Sequence, residues 1–158
     1  MRWGETHGEV IEAMKVGSRA DYGLRAVVYL ASLPDQDAPQ QISVIAKRQQ
    51  IPEDYLRQLL TQLRAAGIVR SVRGPHGGYM LARDAKSITM GEVIEVLEGP
   101  PERMRCNHMD CGDPRCQLLG GCEIRSRWGK AVAAMTRVLH DTPLVELVAG
   151  GFVEPGKR

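Results

Sequence analysis

Apolar and polar positions along this chain mark out a series of short elements. From Ser18 the apolar residues Tyr22, Ala26, Val27, Tyr29 and Leu30 recur at helical spacing. Pro34 stops that helix, and the polar run from Asp35 to Pro39 reads as a loop. Ile42, Ile45 and Ala46 mark one face of a second helix ending near Gln50, with Ser43 placed as its cap. A third helix opens at Ile51-Pro52-Glu53-Asp54. Proline suits the first helical position, where its missing N–H would find no partner, and the two acids face the positive end of the helix dipole. Leu56, Leu59, Leu60 and Leu63 keep the spacing of a buried stripe until Gly67 ends the helix.

The period then changes. Ile68 to Arg73 reads as a strand, Gly74-Pro75-His76-Gly77-Gly78 as a turn, and Tyr79 to Ala82 as the returning strand. A hairpin directly after two short helices makes a winged helix-turn-helix; a plain helical hairpin and a turn facing only solvent are the alternatives. The turn glycines are expected to let the backbone approach a partner closely, with Arg70 and Arg73 supplying positive charge for a phosphate backbone or a minor groove. Met90, Val93, Ile94 and Leu97 line a further helix before Gly99-Pro100-Pro101 breaks it. After Cys122 a long amphipathic helix carries Trp128, Val132, Met135, Val138 and Leu139 on one face. That stripe lies outside the winged unit. A second copy of the chain is its expected cover, and packing back on its own domain is the alternative. Thr142-Pro143 opens a last short helix.

The expected fold is therefore mostly α with a small β-wing: a winged helix-turn-helix plus a long C-terminal dimerisation helix. The expected divisions run from an N-terminal extension (1–13) to a winged DNA-binding domain (14–99). A cysteine loop (100–122), a dimerisation helix with a C-terminal helix (123–149) and a loose tail (150–158) follow. The extension is read as disordered or as a frayed helical extension, and Met14 offers an alternative start.

Composition changes this picture little. Of 158 residues, 43% are apolar and 25% charged, an ordinary globular balance, and the 4% of aromatics leaves an aliphatic core. The net charge of +2 does not by itself reveal a nucleic-acid binder. Its distribution is more telling, because Arg57, Arg64, Arg70 and Arg73 share one stretch with only Glu53 and Asp54 opposing them. No run reaches the roughly 18 apolar residues of a membrane helix. The first residues lack the apolar core of a signal peptide, so a cytoplasmic protein with reduced thiols is expected.

All four cysteines fall in one short segment, as Cys106, Cys111, Cys116 and Cys122. Zinc knuckles usually pair cysteines more closely, as Cys-x-x-Cys, and none occurs here. The wider gaps and Gly112, Gly120 and Gly121 suit a loop around a larger object, such as an iron–sulfur cluster. Zinc and a redox thiol pair remain open on spacing alone. His108 is a further ligand candidate, although a lone loop histidine is more often solvated. No Ser/His/Asp grouping, phosphate-binding glycine loop or carboxylate pair argues for catalysis, so an enzyme is not expected; a small redox protein is the rival from another class.

Several of these strings together resemble the Rrf2 family of bacterial regulators, of the IscR, NsrR and RirA type. They are Met14-Lys15-Val16, Ala20 to Arg25, Ile51 to Gly67, the wing Arg73 to Tyr79, Gly91 to Ile94, and Cys116 to Trp128. The resemblance runs from Met14 to about Ala149. It implies a winged-helix homodimer on double-stranded DNA, joined by the long helix after the last cysteine. It also implies a 2Fe–2S or 4Fe–4S cluster on three cysteines per subunit. Cys116 and Cys122 match the second and third of these. Cys111 fits the usual span for the first, and Cys106 the usual Arg-Cys context. The position of the IscR-type histidine ligand is Arg125, which cannot ligate. Asp21 stands where NsrR-type members supply an aspartate from the other subunit, and a site of four cysteines is the alternative. The resemblance also implies that Pro52, Asp54, Tyr55, Arg57 and Gln58 reach base edges, with Arg suited to guanine and Gln to adenine. Asp54 is an acid where some members carry a hydroxyl. Arg73, His76 and Gly77 belong to the wing. The implied function is a regulator, a repressor by expectation, that senses nitric oxide, redox state or iron and cluster supply.

Overall fold

The computed structural model describes residues 17–35, 37–100 and 123–149, with the side chains of Ile124, Arg125 and Ala149 excepted. In chain order the elements are α1 (Ser18–Ser32), α2 (Ile42–Gln49), α3 (Glu53–Ala65), β1 (Val69–Val72), β2 (Gly78–Leu81), α4 (Met90–Glu98), α5 (Glu123–His140) and α6 (Leu144–Ala149). The two strands pair antiparallel, Val69 opposite Leu81 and Val72 opposite Gly78. This is the winged, mostly helical architecture that the alternation of periods implied.

The core is aliphatic throughout. Ala26, Val27 and Leu30 from α1, Ile45 from α2, and Leu56, Leu59, Leu60 and Leu63 from α3 are all buried. Ile68, Ile88, Val93 and Leu97 join the same cluster. The leucine stripe of α3 thus faces inward, which leaves its polar positions outward. Leu144 of α6 is also fully buried in this cluster, so after α5 the chain packs back on the winged unit. The return is fixed by Met90 N–H donating to Thr142 O (2.8 Å) and Leu144 N–H to Ile88 O (2.9 Å).

Two helix ends close by the same pair of hydrogen bonds. At the end of α3, Ile68 N–H donates to Leu63 O (2.9 Å) and Gly67 N–H to Arg64 O (3.0 Å), with Gly67 at φ 71°. At the end of α2, Ile51 N–H donates to Ala46 O (2.9 Å) and Gln50 N–H to Lys47 O (3.4 Å), with Gln50 at φ 55°. A glutamine therefore takes the left-handed position at the tight turn between α2 and α3, where glycine would fit without penalty.

Some sequence-level details shift. Pro52 is the N-cap of α3, in extended conformation, and its carbonyl accepts Leu56 N–H at 2.9 Å; Glu53 is the first helical residue. Ser43 lies inside α2, whose N-cap is Gln41. Thr89 caps α4 through Oγ1, which accepts Glu92 N–H at 3.2 Å.

Candidate nucleic-acid interface

Because Leu56, Leu59, Leu60 and Leu63 bury one side of α3, the opposite side presents Pro52, Glu53, Asp54, Arg57, Gln58, Thr61 and Arg64 to solvent. This face carries four of the five sequence-selected α3 positions. Tyr55 is different. It is half-buried and meets Tyr22 of α1 edge to face, with centroids 5.9 Å apart, and Arg25 lies over the Tyr22 ring at 5.6 Å. Tyr55 thus anchors the start of α3 to α1. Arg25 also donates to the carbonyl of Gln49, at the end of α2.

Arg57 is not a free side chain. Its Nη2 donates to Glu53 Oε1 at 2.8 Å, one helical turn away. Arg64 reaches from α3 to the wing, Nη1 donating to Ser71 Oγ at 3.2 Å. Arg64 was noted from sequence only as part of the basic stretch and Glu53 only as an acid opposing it; neither was among the implied DNA-contact residues. The complement of the leucine stripe on α3 was the signal that would have found both.

The wing turn is closed by Gly77 N–H donating to Gly74 O at 2.9 Å, which places Pro75 and His76 at its tip. Arg73 and His76 are exposed there. Gly77 and Gly78 have an internal reason to be glycine, different from the expected approach to a partner. A Cβ on Gly77 would overlap Val72 O, and one on Gly78 would overlap the backbone of Gln40. The second contact exists because Gln40 and Tyr79 exchange two backbone hydrogen bonds of 2.8 Å each. The preceding loop is thereby strapped to the wing, and Arg70 of β1 lies 3.8 Å from Asp37 of the same loop.

Asp21 sits in the first turn of α1, exposed, 3.6 Å from Arg25 Nη1. Close by in sequence, Ala20 N–H is capped at 3.0 Å by Glu98 Oε1 from the end of α4, just before the cysteine segment. Cys106, Cys111, Cys116, Cys122 and His108 lie outside the described residues, as do the 1–13 extension and the 150–158 tail. Among the described residues there is no group of three or more metal-ligating side chains. No described helix is long and apolar enough to cross a membrane.

Set beside known proteins, residues 16–150 match the family model Rrf2, described as an iron-dependent transcriptional regulator. Protein rrf2 of Nitratidesulfovibrio vulgaris is 37% identical over 142 residues, covering 90% of this chain and 92% of that protein. Among solved structures, IscR of T. potens superposes with a TM-score of 0.70 at 32% identity, covering 90% of this chain and 91% of that one. CymR, the global cysteine regulator of B. subtilis, gives a TM-score of 0.71 at 30% identity, over 88% of this chain and 99% of that one.

Proposed function

The chain belongs to the Rrf2 family of winged-helix transcription regulators, and from that premise we propose a homodimeric repressor whose operator affinity is set by an iron–sulfur cluster on its cysteines. Regulation of transcription through DNA is the family's work, and the family is not one of enzymes. The observation that carries the DNA-facing part is the polar side of α3, tied to the wing through Arg64 and Ser71. A recognition helix and a wing held as one body can enter a major groove and grip the adjoining backbone together. Asp54, Arg57 and Gln58 then face base edges, with Pro52 at the helix entry. Arg73, His76 and Gly77 lie with the wing along the backbone.

The donor set fits a cluster. Cys116 and Cys122, with Cys111 or Cys106, supply soft thiolates, and Asp21 offers an exposed carboxylate whose described ion pair, with Arg25, is long. When bound, the cluster supplies a redox- and ligand-sensitive centre. The chain's own contribution is connectivity. The cysteine segment runs from the end of α4, where Glu98 caps α1, to the start of α5. A dimer joined along α5 sets the separation of two α3 helices, and half-sites one helical turn apart make affinity sensitive to that separation. The family description as iron-dependent and the likeness to IscR support this reading. The likeness to CymR, which in Staphylococcus aureus has been solved in an oxidized form, favours a second one, in which the thiols switch by reversible disulfides with no cluster, and the same cysteines could instead hold zinc. A cytoplasmic setting, with thiols kept reduced, suits each.

Anaerobically purified protein tests the proposal. The expected outcome is a brown protein with matched iron and sulfide, and different operator affinity with and without the cluster. Cys116→Ala and Cys122→Ala each abolish the colour, and one only of Cys106→Ala and Cys111→Ala does so. A colourless protein after reconstitution moves sensing to the thiols or zinc. Equal affinity of both forms across salt concentrations removes the switch.

A further inference from the structure

Glu53 puts a negative charge on a helix face that meets a polyanion. The helix dipole stabilises an acid in the first turn only modestly. An exposed ion pair of this spacing contributes little. Neither gain requires that the acid face DNA. The geometry gives a more specific reason. Glu53 Oε1 accepts one N–H of Arg57 Nη2 at 2.8 Å, and both side chains are about half exposed. That bond biases the guanidinium toward Glu53 and leaves Nη1, Nε and the second Nη2 hydrogen available. It also leaves Glu53 Oε2 as an unused acceptor beside the fork.

A G·C pair presents, across the major groove, N7 and O6 of guanine as acceptors and the N4 amine of cytosine as donor. Two donors of Arg57 complement N7 and O6. The free oxygen of Glu53 complements N4. A T·A or A·T pair places a methyl group or a donor where this pattern needs something else. We propose that Glu53 is a specificity-determining residue and that Glu53 and Arg57 together read all three groups of one G·C pair in each half-site. The proposal rests on the reading of α3 as the recognition helix.

The test uses the full chain and an operator selected from random double-stranded DNA. Wild-type protein is expected to prefer G·C at one position by about tenfold or more, within the range for a bidentate base contact. Replacing that cytosine by N4-methylcytosine should weaken wild-type binding by about fivefold or more, consistent with a lost base contact. Glu53→Gln and Glu53→Ala should lose most of the G·C preference. Glu53→Ala should be indifferent to the N4-methyl group and bind unrelated DNA more tightly, because a repulsive charge is gone. Arg57→Ala should lose the preference as well. Equal sensitivity of wild type and Glu53→Ala to N4-methylcytosine overturns the proposal while leaving α3 as the reader. A wild-type protein with no sequence preference overturns both.

Discussion

The winged unit and α5 follow opposite rules of burial. From Ala26 to Leu97 most described apolar side chains converge on one aliphatic cluster, to which α6 adds Leu144, while Val44 and Val72 stay exposed. In α5 none of the described side chains is buried. Trp128 is 45% exposed and Val138 65% exposed, while Val132, Met135 and Leu139 are only half-buried. The end of α5 is docked, with His140 Nε2 3.0 Å from Glu95 Oε1 on α4. The remainder carries an apolar stripe that the described residues leave uncovered. The difference teaches that, among the described residues, the winged unit closes on itself while the apolar stripe of α5 stays open, and the proposed second copy would cover it.

The comparison can be broken or sharpened by substitution. The largest effect should come from Leu60→Ala in α3, where the side chain is fully buried. Its loss should destabilise the fold by about 2–5 kcal/mol, measured by chemical denaturation. A cost below about 1 kcal/mol would mean that this core is less tightly closed than its burial implies. A smaller effect should follow Trp128→Ala. Sedimentation should show the dimer dissociation constant raised about tenfold, equivalent to about 1.4 kcal/mol, with the far-ultraviolet spectrum unchanged. Unaltered self-association would show that α5 does not join two copies. The smallest is Gln50→Gly at the turn between α2 and α3, expected to stabilise by about 0.5–1 kcal/mol because an L side chain leaves the left-handed region. A loss of stability there would show that the glutamine side chain contributes more than its backbone costs.

Much of this was legible in the sequence for a local reason. Periods of 3.6 and 2 are properties of neighbouring residues, so α1, α3, the wing and α5 announced themselves. What stayed hidden depends on distance or on an exception to residue preference. Gln50 in a left-handed conformation carries no glycine to betray the turn. The Glu98 cap on α1 joins residues 78 apart in the chain. Gly77 and Gly78 stood out as turn glycines, but the internal backbone approaches that require them were visible only in three dimensions. Of the candidate interface, Asp54, Arg57 and Gln58 came from the family resemblance, and the structure leaves all three exposed. Their arrangement was not legible, because an ion pair such as Glu53–Arg57 is one of several that helical spacing permits. The cysteines were visible as a constellation, but spacing alone does not select the first thiolate ligand.

The strap between Gln40 and Tyr79 has a consequence for the solubility of the wing. A lone two-stranded hairpin has two open edges, each a template for pairing with another chain. Here β2 lies between β1 and the Gln40 segment, so its outward backbone groups at Tyr79 are already taken. Among the described residues the free margin belongs to β1, which is four residues long and carries Arg70. A short, cationic margin is a poor seed for cross-strand aggregation, so the hairpin can hold its tip in solvent without inviting copies of itself to stack.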